Sequence, residues 1–287
     1  MGTWGPGLYS NDIAKDLKAT ISAVVKLPFE GDRLVEIISE AFPHAANDET
    51  DEDYTTFWLV MADQLHRKGV AGSDVLRRAI AIIDSDKDLN SPAILEMAEN
   101  NQKKRKKALD DLRTKISKPV PDKKRKTLAK AQPLLMDTGD VIAFPIVETG
   151  GCFNPYFTKA KWECADWGAA VIIDCGLVFG YLAQYTPVVI NRRLNVSEMP
   201  TLDQLADVGW KLTRPGTCSN PHYKRMEIAK IGSVTIDQAR IETHFPNRRD
   251  GTYAAVNDIS IANSFHVAEE PREREVNIDS LSVIAKS

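Results

Sequence analysis

The chain has 287 residues, 43% hydrophobic and 27% charged, with a formal net charge of −3, the make-up of an ordinary globular protein long enough for two domains. No apolar run approaches the roughly 20 residues needed to span a bilayer, and the basic start and apolar core of a signal peptide are missing. A membrane partner is therefore excluded, and a cytoplasmic location is expected.

The charge is segregated. Residues 1–102 hold 9 Lys/Arg against 18 Asp/Glu (−9), residues 103–130 hold 13 against 3 (+10), and residues 131–287 hold 15 against 19 (−4). An acidic head is thus joined through a strongly basic segment to a mildly acidic second half.

In chain order, Gly5 and Gly7 allow tight backbone around Trp4, which reads as a structural anchor. Asn11 is a good helix N-cap, and Asp12 sets negative charge at that helix's positive end. Ile13, Leu17, Ile21, Val24 and Val25 then share one helical face. Leu34, Val35, Ile37, Ile38, Ala41 and Phe42 mark a second helix, ended by Pro43, with His44 in the loop beyond. Tyr54, Phe57, Trp58, Met61, Ala62 and Leu65 recur at i, i+3, i+4, i+7 spacing, and Gly69 supplies the stop. Trp58 is expected in the core beside Trp4. Ser73 caps a fourth helix through Leu76, Ala79, Ile80 and Ile83. Ser91 and Pro92 open a long fifth through Ile94, Leu95, Ala98, Leu109, Leu112 and Ile116.

Residues 1–118 are accordingly expected to form a helical bundle, and 119–133, with Pro119, Pro121, Pro133 and a KKRK run, a basic linker. From Gly139 the period changes. GDVIAFPIV, AAVIIDCGLVFGYLA and TPVVI predict strands, as do MEIAKIGSVTI from Met226, DISIANSF, and VNIDSLSVIA near the end, with a short helix after Thr201. The fold expected is α+β, with residues 134–287 forming a mainly antiparallel sheet domain.

The opening pattern WGxGxxxND, together with FWLVMADQLHRKG at 57–69 and VLRRAIAIIDSDKDL at 75–89, resembles a bacterial family of small helical domains of unknown function. GDVIAFPI at 139–146, with LVFGYLAQY some thirty residues later, resembles the opening of an immunity-protein family found beside bacterial polymorphic toxins. These resemblances imply no catalytic motif; the second implies a protein that acts by binding.

Four cysteines, Cys152, Cys164, Cys175 and Cys218, match no zinc spacing and read as free thiols. No phosphate loop, nucleophile elbow or HExxH occurs, so no cofactor is expected and no metal site is assigned. His222, with Tyr223 and Lys224, and His244, with Asp237, Glu242, Arg248, Arg249 and Asp250, supply groups for a nuclease or other hydrolase if they converge; solvated loop charge is the alternative. Lys103, Lys104, Arg105, Lys106, Lys107, Lys123, Lys124, Arg125 and Lys126 suit phosphate contacts, or else form a solvated helix end packing against the acidic head. Asp51, Glu52 and Asp53 either stabilise a helix N-terminus or steer a basic partner. Tyr156, Trp162 and Trp167, set among Gly and Pro, are candidate interface anchors. The function expected is a non-catalytic protein-binding module, an immunity or defence-associated component with a toxin or defence protein as partner. A hydrolase using the His222 to Asp250 region and a nucleic-acid-binding adaptor using 103–130 are the alternatives.

Overall fold

The computed structural model describes residues 5–70, 73–122, 124–153, 161–244, 256, 260–267 and 277–278. Trp4, Lys123 and Tyr156 lie outside them, as do residues 245–250 and the side chain of His244. The fold is α+β, and the chain divides into two compact units, Met1–Ala129 and Lys130–Ser287.

The first unit is helical: α1 Asp12–Val24, α2 Gly31–Ala41, α3 Pro43–Asn47, α4 Tyr54–Arg67, α5 Ser73–Asp84, α6 Pro92–Leu95 and α7 Glu99–Ile116. The Asn11 side chain caps α1, accepting from the Ala14 N–H at 2.9 Å, and Gly69, at φ 70°, closes α4 in the left-handed region. Pro43 does end α2, but its fixed φ also starts α3, so His44 lies in a helix rather than a loop. On α5 the buried stripe runs through Val75, Ala79, Ile82 and Ile83, with Leu76 and Ile80 half-buried. The long fifth helix is two. Ala98, with extended backbone at ψ 143°, separates α6 from α7, and the Gln102 amide caps the gap by donating to the Leu95 and Met97 carbonyls.

The stripe predicted for α4 understates it, since every residue from Tyr54 to His66 is buried. A helix buried all round must bond most of its polar side chains inside the protein, and the threonines, Gln64 and His66 of α4 do so by fastening what surrounds them. Thr56 accepts from the Asn11 amide (3.2 Å), Thr55 donates to Asp88 (3.1 Å), Gln64 donates to the Tyr9 hydroxyl (2.5 Å), and His66 Nε2 meets the Lys118 carbonyl (3.2 Å). Trp58 packs edge-on to Phe57, and the Arg78 guanidinium lies 4.5 Å over its ring. Beyond α7 the basic segment stays with this unit: Arg125 donates to the Phe29 carbonyl (2.6 Å) and the Leu128 N–H to the Lys26 carbonyl (2.8 Å).

The second unit is built on one sheet: β1 Asp140–Ile146, β2 Asp166–Val178, β3 Leu182–Ile190, β4 Trp210–Leu212, β5 Gly216–Thr217, β6 Ala229–Ser233 and β7 Asn277–Ile278. The strand order is β6-β1-β2-β3-β4-β7, with β5 also pairing β3, and every described pairing is antiparallel. Phe179 and Gly180, both at positive φ (49° and 73°), turn the β2–β3 hairpin. Opposite Phe144, Gly168 has no side chain, and any Cβ there would come within 2.4 Å of that ring. Phe144 stacks on Phe265 at 4.3 Å and 6°. β1, β3 and residues 168–173 of β2 are buried on both faces, which is why these runs read as continuous hydrophobic stretches rather than alternating ones.

Several expectations for this half are corrected. Of DISIANSF, residues 260–265 are described and hold no strand: Ile261–Asn263 form a 3-10 turn, begun by the Ser260 hydroxyl accepting from the Ala262 N–H. Of MEIAKIGSVTI only Ala229–Ser233 is strand, and the helix after Thr201 is a single 3-10 turn at Asp203–Leu205. Two short helices, α8 Asn220–Arg225 and α9 Gln238–His244, stand where the residue pattern predicts none.

Candidate functional site

The aromatic positions come from the loop that feeds β2. Trp162 is half-buried and stacks on Phe153, with ring centroids 5.4 Å apart and planes 20° off parallel. Its neighbours Lys161, Glu163, Cys164 and Ala165 are exposed. Trp167 lies in β2 opposite Pro145 and is also half-buried. The described core of this unit includes neither tryptophan, nor Phe153. Asp166, between the loop and Trp167, is buried and accepts N–H bonds from Trp167 (2.8 Å), Asn195 (3.0 Å) and Val196 (2.9 Å), which fixes the entry to β2.

The acidic turn sits before α4. Asp51 accepts from the Asp53 N–H at 2.8 Å, Glu52 is exposed, and Asp53 is the residue preceding the helix but makes no side-chain cap. Burial, and then the charges of Glu52 and Asp51, push the Asp53 carboxyl above its ordinary range. Glu52 and Asp53 share a polar cleft with Asn11, Asp12, Thr55 and Asp88.

The basic helix is divided by its geometry. Lys103, Lys104, Lys106 and Lys107 are exposed on α7, with Lys103 bridged to Glu99 at 2.7 Å. Arg105, expected among them as a phosphate contact, points inward instead. It is 4% exposed, grips Asp88, and donates to the Gly7 carbonyl at 3.0 Å. Helical spacing places residue 105 with Leu109, Leu112 and Ile116 on the buried face, so within a run of five cations its neighbours face water and it does not. Lower on α7, Arg113 pairs with Asp84 (2.6 Å) and Lys115 with Asp63 (2.5 Å), so part of this helix does pack against the acidic head. Lys124 and Lys126 are exposed, and Arg125 is half-buried at its carbonyl contact.

Asp63 gathers Lys115, the Tyr9 hydroxyl and Arg67 (2.9 Å) around one buried carboxylate. Burial disfavours its charge, but Lys115, Tyr9 and Arg67 outweigh that and hold its pKa below the ordinary value. Burial together with Asp63 pushes the Tyr9 hydroxyl upward. This knot ties the N-terminal loop to α4 and α7, and its role is structural.

Of the hydrolase candidates, His222 and Tyr223 lie half-buried and Lys224 exposed in α8, Asp237 is half-buried just before α9 and Glu242 exposed on it, and the His244 side chain, Arg248, Arg249 and Asp250 lie outside the described residues. Among the described residues no three His, Cys, Asp or Glu side chains converge as a metal-ligand group, and no helix is long and apolar enough to cross a membrane.

One pair escaped the sequence reading. Arg192 and Arg193, directly after β3, line an open cleft with Leu194, Asn195, Gln204 and Val208. Adjacent arginines closing a hydrophobic strand run were the available signal. No protein-family model matches the chain, and neither does any curated protein or solved structure.

Proposed function

We propose that this chain is a non-catalytic protein-binding module, an immunity or defence-associated component whose partner contact is anchored by the aromatic rings at the entrance to β2. The observation that carries this reading is the stacked, half-exposed Phe153–Trp162 pair, with Trp167 beside it in sequence, outside the described core. Large rings with few rotors that the domain leaves part-exposed are efficient anchors, because a partner gains their burial at small entropic cost. The acidic turn of Asp51, Glu52 and Asp53 supports a basic partner, since negative surface charge speeds its encounter.

A second reading, nucleic-acid binding, draws on the exposed Lys103, Lys104, Lys106 and Lys107, but it loses Arg105 to the interior. It also lacks any aromatic residue in 103–130 on which bases could stack.

The test compares Trp162→Ala and Trp167→Ala with His222→Ala and a Lys104→Ala/Lys107→Ala double variant. Each is scored by quantitative affinity purification from the host and by complementation of the deletion phenotype. The tryptophan variants should weaken partner retention by at least about 2 kcal/mol, the size of a lost anchor, with the others near wild type. If folded His222→Ala protein loses function and the tryptophan variants keep it, the hydrolase reading replaces this one. Loss confined to the lysine variant, with salt-sensitive nucleic-acid retention in the wild type, favours the adaptor.

A further inference from the structure

The loop Asn191-Arg192-Arg193-Leu194-Asn195 is held in a defined shape from below. Asp166 binds the backbone N–H groups of Asn195 and Val196, and Asn195 takes the left-handed conformation at φ 57°, which asparagine tolerates better than most residues. Leu194 packs on the core, and Val208, at the cleft, is part of it. Arg192 spends one bond on the Asp207 carbonyl (3.2 Å) and Arg193 one on the Glu148 carbonyl.

A guanidinium carries five N–H donors, so most of the donor capacity of both residues is unspent. Among the described residues, neither guanidinium lies within ion-pair distance of a carboxylate either. Arg33, Arg67, Arg77, Arg78, Arg105, Arg113 and Arg240 each lie within ion-pair distance of an Asp or Glu, whereas the partners of Arg192 and Arg193 are neutral carbonyl oxygens. Gln204, across the cleft, uses its Oε1 to accept from the Thr201 N–H (2.8 Å) and hydroxyl (3.3 Å), and its NH₂ has no partner among the described residues. The lining of the cleft contains no carboxylate side chain.

We infer that this cleft is a site for a phosphate dianion, either free or as the terminal phosphoryl group of a small molecule. Two adjacent guanidiniums carry two positive charges and forked donors that match oxyanion geometry. A phosphate monoester, at roughly −1.5 to −2 near pH 7, balances both charges, whereas a single carboxylate balances one. This inference is independent of the protein-binding reading, which rests on other residues.

The test follows the side-chain Nε–H signals of Arg192 and Arg193 by NMR in the full chain at constant ionic strength, during titration with inorganic phosphate, glycerol phosphate or acetate. Phosphate and its ester should give saturable shifts at both arginines, and acetate should give none. Tighter binding of the ester identifies a terminal phosphoryl group as the ligand, and equal binding identifies the free ion; both support the site. Affinity for the ester should rise with pH through its second ionisation, near about 6, and affinity for inorganic phosphate through its own, about one unit higher. The Arg192→Gln/Arg193→Gln variant should lose at least tenfold in affinity, as expected for removing charge-assisted bonds, with Arg240→Gln unchanged. Linear, unsaturable shifts, an equal response to acetate, or undiminished affinity in the double variant would overturn the inference. If that variant does not fold, the pH dependence and anion selectivity of the wild type decide the matter, because a merely structural arginine pair shows neither.

Discussion

Arg105 and Asp88 form a two-pronged ion pair inside the helical unit. Nε meets Oδ1 and Nη2 meets Oδ2, both at 2.8 Å, with the side chains 5% and 3% exposed. Thr55 donates to the same carboxylate, and Arg105 also holds the Gly7 carbonyl. One guanidinium therefore joins α7, the turn after α5, α4 and the N-terminal loop.

Arg105→Ala should destabilise the helical unit by about 3 to 5 kcal/mol, because it leaves a buried carboxylate without its counter-charge. Lys104→Ala, one residue away and exposed, should change stability by less than about 0.5 kcal/mol. An Arg105→Met/Asp88→Leu double variant should recover most of the loss, since a buried pair can give way to apolar packing. Urea denaturation of the four proteins checks all three expectations. Equal, small effects at 104 and 105 would show that the pair does not hold the unit together.

Acid should act on Asp63 and Asp53 with opposite sign. The folded pKa of Asp63 is depressed, so its contribution is fully present above the unfolded value near about 4 and is lost as pH falls through the folded value. The folded pKa of Asp53 is raised, so its charge costs stability above that folded value. The cost fades as pH falls through it and is gone below the unfolded value. Asp63→Asn should therefore destabilise at pH 7 and flatten the acid limb of the stability curve, whereas Asp53→Asn should stabilise at pH 7 and lose its advantage in acid. Denaturation midpoints measured across the acid range for both variants provide the check, and a shared sign would contradict the assignment.

The thiols should separate by environment. Burial, with Cys218 nearby, pushes Cys152 up to about 12, and burial alone takes Cys218 to about 12. Since the thiolate is the reactive species, both should resist alkylation at pH 8 until the chain unfolds. Cys164, which is exposed, should react first. Timed labelling with iodoacetamide, read by peptide mass spectrometry, ranks them.

Gln184 sits at the middle of the sheet with no exposed surface, and neither end of its amide has a hydrogen-bond partner among the described residues. Desolvating such a group without compensation is costly. Gln184→Met, close in length and free of that cost, should raise the stability of the sheet unit by about 1 kcal/mol or more. A loss on this substitution, seen in chemical denaturation, would mean that the amide is satisfied in solution.

Much of the helical unit was legible locally. The Asn11 cap, the Gly69 stop and the spacing along α1 and α4 are consequences of one chain segment's own geometry, and periodicity reports them directly. The shift to strand character after Gly139 is local in the same sense, but the run AAVIIDCGLVFGYLA, which predicts one strand, is broken by the turn that Phe179 and Gly180 make inside it. Which residues of a charged run face inward is a different kind of fact. Arg105 reads like its four lysine neighbours and becomes a core residue only because Asp88 and the Gly7 carbonyl meet it from distant parts of the chain. The same holds for the break at Ala98, supported by Gln102, for Pro43 as the start of a helix, and for the 3-10 turn at Ile261–Asn263 in place of a strand. Arg192 and Arg193 became a candidate site only when folding set carbonyls rather than carboxylates beside them. Backbone periodicity is written in adjacent residues, whereas burial, pairing and unspent charge are settled by partners that tertiary packing alone brings within a few ångströms.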